Sequence, residues 1–230
     1  MKINAIMTIR ELADYIRLHE HRAPVTEATS GGRGIRDEQE FLPLAVADLR
    51  LQQTIVESPD QDLDMLIHSA DHPIPLSHLT DETLIDLHCE AGSRNKALSR
   101  LAKLAVAAGA ATSYEEFYLE LERRETLQPT VISRGVAIPH SRFPNARLFR
   151  TPKLIIARSA CGIDFGATDG HKVHLMFVPC APSPYMHMRM VAQIAKLLHI
   201  PHLIERFRNT TEVRHVLLII KAFEQLQGLS

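Results

Sequence analysis

The apolar residues of this chain change their spacing twice, and those two changes constrain its fold more than any other feature. Between residues 93 and 125 the spacing is helical, and between 131 and 178 it breaks into short β-branched or apolar runs bounded by Pro and Gly. From residue 183 it is helical again. Residues 93–108, SRNKALSRLAKLAVAA, predict a helix with Ser93 as N-cap and Ala97, Leu98, Leu101, Leu104 and Ala105 along one side. Gly109 falls at the C′ position that ends helices. Residues 113–125, SYEEFYLELERRE, repeat the scheme, with Ser113 as cap, Glu116 at N3, and Phe117, Leu119 and Leu121 set among acids.

Three strands are predicted, over Val131–Ile138, Leu154–Arg158 and Val173–Val178, and Asp169-Gly170 between the last two is a turn signal. Residues 81–88 add a short apolar segment. Ser183 and Pro184 open a further helix as N-cap and first helical residue, and a last helix is expected over 210–224. Helices, strands and helices around one core predict an α/β layered sandwich, a mixed β-sheet flanked by helices, over residues 76–230.

Residues 1–75 read differently, as a small, partly irregular N-terminal extension. MTIRELADYIRLH (7–19) has a helical face of Leu12, Tyr15, Ile16 and His19, with Thr8 and Glu11 as a capping box. HRAPVTEATSGGRGIRDEQE, rich in Gly, Arg and Thr, has no apolar period and reads as loop or disorder. A ragged helix is expected over 41–55, and VESPDQDLD reads as a linker.

Charge excludes some partners. With 26 basic against 27 acidic residues the net charge is −1, so bulk electrostatics favours neither nucleic acid nor an anionic membrane. No run approaches the roughly 18 apolar residues of a membrane span, and no signal-peptide core opens the chain. Cys89, Cys161 and Cys180 lie far apart and form no CxxC pair. Reduced thiols and a soluble, cytoplasmic protein are the expectation.

Thirteen histidines are the chemistry-bearing residues to sort. His171 and His174, three apart in an expected strand, point to opposite faces, and Pro201 breaks the helix that would align His199 with His202. With no Cys or carboxylate cluster beside them, a metal site is not expected, and no cofactor is implied. His140 ends the run Gly135-Val136-Ala137-Ile138 and follows Pro139, which predicts a ring on rigid support at a strand end, facing the surface. His187 lies four residues into the helix opened by Ser183, where Met190, Val191 and Ile194 continue its inward face. A histidine beside helix N–H groups sits in an anion site with a neutral ring favoured, although a core histidine bonded to a carbonyl fits the same spacing. An exposed histidine without function remains open for His140 in the same way.

LERRETLQPTVISRGVAIPHSR resembles the active-site segment of enzyme IIA domains of the mannitol/fructose type, from the bacterial phosphoenolpyruvate-dependent phosphotransferase system, including its nitrogen-regulatory branch. The matching residues are Arg124-Glu125, Thr130 and Gly135-Val136-Ala137-Ile138-Pro139-His140. GIDFGATDGHKVHLMFV and HMRMVAQIAKLL are similar to further family segments, so the likeness covers about residues 76–225. One departure is Val131-Ile132-Ser133, where the family often has glycines.

The resemblance implies a phosphotransferase component that carries phosphate on His140, with His187 as the supporting histidine and Arg124 and Thr130 near the phosphate. It implies a histidine-containing phosphocarrier protein as donor and a IIB component or a regulatory target as acceptor. A non-catalytic binding module is the reading that would leave both histidines idle. The lack of an attached IIB or membrane domain, together with the odd N-terminal extension, tilts the expectation toward regulation, with a sugar-specific IIA component feeding a IIB or permease as the alternative. Phe143, Pro144, Phe149 and Met186 are candidates for an apolar rim for partners, with core or loop packing the first expectation for each. MTIRELADYIRLH also resembles the opening helix of excisionase-like or MerR-like DNA-binding domains, which would make DNA a partner of residues 1–75, but a degenerate module rather than a working DNA-binding one is the expectation. HRAPVTEATSGGRG departs from that pattern.

Overall fold

The computed structural model describes residues 73–229, apart from 133, 134, 168 and 169. The expected helices over 7–19 and 41–55, the linker, the DNA-binding resemblance and Asp169 of the expected turn therefore lie outside the described residues.

Two α-helices precede the long strands, α1 over Arg94–Ala107 and α2 over Tyr114–Leu127. Their serine caps behave as the sequence predicts: Ser93 Oγ accepts from Lys96 N–H at 3.4 Å and Ser113 Oγ from Glu116 N–H at 3.2 Å. Gly109 takes φ 68°, its N–H reaching Val106 O while Ala110 N–H reaches Ala105 O, which closes α1 with a Schellman pair.

Four strands among the described residues form one mixed sheet in the order β1-β3-β4-β2. The long antiparallel pair is β3, Lys153–Ile163, with β4, Val173–Cys180. Two-residue strands lie parallel at its edges, β1 (Ile85–Asp86) on β3 and β2 (Val136–Ala137) on β4. The apolar run 81–88 thus divides into a 3₁₀ turn, Glu82–Leu84, and β1. Strand β3 continues five residues past the expected end at Arg158, through a register shift between Arg158 and Ile163.

The run Val131–Ile138 is not one strand. Val131 bridges Ala137 antiparallel, Ile132 N–H donates to Val136 O at 2.8 Å, and Ile138 N–H donates to Thr130 O at 3.0 Å. A tight hairpin forms because Gly135 takes φ 67°, and a Cβ there would stand 2.6 Å from Lys172 O. The apolar run was long enough for a strand, but the glycine folds it back on itself.

After the sheet come α3 (Pro184–Leu198), α4 (Pro201–Asn209) and α5 (Val213–Leu226). The single helix expected over 210–224 starts later, and α4 was not expected at all. Pro201, read as an interruption, is a first-turn residue whose missing N–H costs nothing there. His199 closes α3 and His202 lies in α4, while His171 lies in the loop before β4 rather than in it.

Alternation along the strands builds two cores. Leu154, Ile156, Leu175 and Phe177 face Met190, Ile194, Phe207 and Phe223 of the last three helices. Ile155, Ala157, Met176 and Val178 face Leu98, Leu101, Phe117 and Leu121 of the first two. Edge-on ring pairs anchor each side, Phe177 on Phe207 and Phe117 on Phe149, with centroids 5.5 and 5.1 Å apart. The result is the expected helix–sheet–helix sandwich. No helix among the described residues is long and apolar enough to cross a membrane.

Candidate functional site

Strand β2 and the start of α3 converge at one end of the sheet. Two residues beyond Ile138, which belongs to the core on the α3 side, the chain presents His140; α3 begins there with His187 in its first turns. The two imidazoles lie with centroids 4.9 Å apart and planes inclined by 42°. Ser183 caps α3 by accepting from Met186 N–H at 3.2 Å, and His187 N–H donates to Ser183 O at 3.0 Å. Pro184 has no N–H. The backbone donors expected to make this helix end an anion site are thus partly engaged by its own cap.

Both nitrogens of His140 have partners. Ile138 O lies 2.6 Å from Nδ1, and because a carbonyl only accepts, that nitrogen carries the proton. Nε2 is then the lone-pair nitrogen, and Arg124 Nε–H donates to it at 3.3 Å. Arg124 is held in turn by its own end of α2, through Nη1–H to Gln128 O at 2.8 Å. The ring is neutral: burial, and then the Arg124 charge, pull its pKa down to about 3. The structure corrects one expectation here. His140 does not face the surface; it is 2% exposed, with Arg124 and His187 drawn against it.

Thr130 is placed otherwise than Arg124. Its hydroxyl donates to Glu125 Oε1 and its N–H to Glu125 Oε2, the latter at 3.1 Å. Among the residues named from sequence, the structure therefore brings His140, His187 and Arg124 into one cluster, with Thr130 engaged on Glu125. Sequence reasoning gave Glu125 no role. A signal for it existed: the buried stripe of α2 runs Phe117, Leu121 and then Arg124 and Glu125, charged residues where helical spacing calls for apolar ones.

Residues 78–223 match the model of the phosphoenolpyruvate-dependent sugar phosphotransferase system EIIA 2 family. The chain belongs to that family. A nitrogen regulatory protein of Bradyrhizobium diazoefficiens is 28% identical to it over 150 residues, 64% of this chain and 95% of that protein. The fold is that of nitrogen regulatory protein IIA-Ntr from Neisseria meningitidis, with a TM-score of 0.57 at 23% identity, covering 63% of this chain and 97% of that one. It also matches enzyme IIAMTL of Escherichia coli, solved in complex with phosphorylated enzyme IIBMTL, with a TM-score of 0.55 at 21% identity over 62% of this chain and 96% of that chain. As an EIIA domain this chain has a role in phosphoryl transfer.

Around the EIIA site the four rim candidates divide between surface and core. Phe143 is 51% exposed, but Phe149 is wholly buried against Phe117, and Pro144 and Met186 are half-buried. Ser141 hydroxyl donates to Glu120 at 3.1 Å and accepts from Phe143 N–H at 3.2 Å, which fixes the chain that leaves His140 along α2. There Arg142 lines an open groove of about 450 Å³ with Asn95, Glu122, Arg123, Thr126 and Leu127. No group of three or more His, Cys, Asp or Glu among the described residues could hold a metal ion.

Proposed function

We propose that this chain is a phosphoryl carrier whose accepting atom is His140 Nε2. One observation carries the reading: the Ile138 carbonyl holds the ring proton on Nδ1, which leaves Nε2 as a neutral nucleophile beside a guanidinium and a second imidazole. The Nε2 lone pair forms a bond to the phosphorus of a phosphohistidine on a histidine-containing phosphocarrier protein. The donor's N–P bond breaks, and its electron pair returns to a donor ring that carries a proton on its other nitrogen and so leaves as neutral imidazole. Nδ1 of His140 keeps its proton on Ile138 O throughout, so no proton or co-reactant is consumed.

Such a transfer needs positioning and charge stabilisation above all. Arg124 Nε–H sits on the lone pair at rest, so it moves from Nε2 to a phosphoryl oxygen as phosphorus arrives. His187 supplies a second donor. The covering of His140 opens during docking, and the exposed Phe143 and Leu127 with the Arg142 groove offer the partner a surface beside it. The acceptor is a IIB component or a regulatory target. Similarity to a nitrogen regulatory protein over nearly its whole length supports regulation, and in that use the protein works in the cytoplasm.

Incubation with phosphoenolpyruvate and the two general carrier proteins of the system should place an acid-labile, base-stable phosphate on the chain. His140→Ala should abolish it, and His187→Ala should slow it by about 10²-fold, the usual loss for one transition-state donor. Persistent labelling of the His140→Ala variant refutes the assignment.

A further inference from the structure

We propose that Glu125 is a positioning residue for His140, acting through Thr130 and Ile138 to set which ring nitrogen is free to react. The inference rests on the carrier reading above and extends it to a residue that touches neither phosphate nor imidazole.

The path is a continuous series of hydrogen bonds. Glu125 accepts the hydroxyl and the N–H of Thr130 with its two oxygens, the N–H at 3.1 Å. Thr130 O accepts Ile138 N–H at 3.0 Å, and Ile138 O accepts His140 Nδ1–H at 2.6 Å. Arg124, the neighbouring residue on α2, meets the other ring nitrogen directly. Consecutive side chains at one helix end thus govern the two nitrogens separately, one by contact and the other through a two-residue bridge.

Burial makes this a deliberate arrangement in physical terms. Glu125 is 1% exposed, and Thr130 is buried with it. A carboxylate in such a place is held there by the two donors it satisfies, and without it both donors would be stranded. An apolar side chain would continue the stripe of Phe117 and Leu121 more simply, but the two hydrogen bonds that tie Thr130, at the open end of the hairpin, to α2 would then be lost. Its drift would release Ile138 N–H, move the carbonyl from Nδ1, and let the Nε2–H tautomer compete. That tautomer has no lone pair at Nε2 to offer phosphorus.

The test compares Glu125→Gln, Thr130→Val and Thr130→Ser in the full chain. Glutamine offers one acceptor where the carboxylate offered two, valine removes the hydroxyl and keeps the N–H, and serine restores the hydroxyl. Nitrogen-15 spectra of the histidine rings report the tautomer of His140, and label uptake from the phosphorylated donor reports the rate. In the wild type His140 should show the Nδ1–H form. Glu125→Gln and Thr130→Val should each admit the other tautomer and slow uptake by roughly five- to tenfold, the factor set by one hydrogen bond, and Thr130→Ser should recover most of the loss. A folded Glu125→Gln protein with wild-type tautomer and rate overturns the inference. Should that variant not fold, Thr130→Val decides alone by the same readings. Loss of labelling in His140→Ala with unchanged Glu125→Gln and Thr130→Val would remove the positioning role and leave the carrier reading intact, whereas labelling of His140→Ala would remove both.

Discussion

Glu90 and Glu125 grip the chain with the same pair of donors in opposite surroundings. Beyond β1, Glu90 accepts the Ser159 hydroxyl at 3.1 Å and Ala160 N–H at 2.6 Å, which pins the irregular part of β3. Before β2, Glu125 accepts the hydroxyl and N–H of Thr130. Glu90 is exposed, and the Ala160 N–H lowers its pKa; Glu125 is buried, and desolvation raises its pKa despite Thr130, Arg124 and Arg94. Similar hydrogen bonding therefore does not mean equal consequence: water reaches Glu90 and the Ala160 N–H it holds, and it does not reach Glu125.

The largest test of that contrast is truncation. Glu125→Ala strands two buried donors and should cost about 3 kcal/mol in urea unfolding, whereas Glu90→Ala should cost about 0.5–1 kcal/mol. Similar losses would erase the distinction.

Next come the two glycine turns that lie near these glutamates. A Cβ at Gly135 would meet the backbone at Lys172 O, 2.6 Å away, while one at Gly162 would meet the side chains of His174 and Lys172 at 2.7 Å. Both residues have positive φ, so alanine at either adds about 1–2 kcal/mol of backbone strain. Gly135→Ala should exceed Gly162→Ala, because a side chain yields and a strand-end carbonyl does not. Thermal unfolding of both variants measures the order, and the reverse order would mean that the Lys172 carbonyl moves freely.

Acid separates the groups more gently. His140 has its pKa lowered from 6.5 to about 3, so between those values the unfolded chain binds a proton that the native one refuses. Stability should fall as pH drops through that window, by at most about 1.4 kcal/mol per pH unit from this residue. Glu90 acts with the same sign, its contribution being lost as pH falls below the ordinary carboxylate value of 4.5. Glu125 acts oppositely: above 4.5 its native form retains a proton that the unfolded chain releases, so acidification through that window favours the fold. His140→Gln should flatten the slope between about pH 6.5 and 5, and an unchanged slope there would show that the ring titrates normally. Phosphate uptake should likewise stay level as pH falls from 8 towards 6, where an ordinary histidine loses its lone pair.

The parts legible in the sequence were those written locally. Serine caps at 93, 113 and 183, the stop at Gly109 and the alternating runs of β3 and β4 each depend on residues a few positions apart. The edge strands were not legible, since two residues cannot display a period and their pairing depends on strands far along the chain. Helix α4 was hidden because Pro201 breaks a helix and also starts one, and only the turn at His199 decides between them. In the site, spacing left His140 and His187 open one by one, and it was the family resemblance that named them as a pair, which the structure does bring together. The depth of His140 was not visible, because the covering side chain of Arg124 comes from a helix 16 positions away.

The shortness of β1 and β2 bears on the company this molecule keeps. A sheet margin two residues long exposes hardly one pair of ladder groups, too little for a foreign strand to join and extend. The long β3 and β4 pair with each other in the middle of the sheet, and past the ends of β1 the Leu79 carbonyl and the Glu90 carboxylate take Leu154 N–H and Ala160 N–H of β3. Strand addition finds little free margin beside β1, which favours visitors that dock through side chains and depart again.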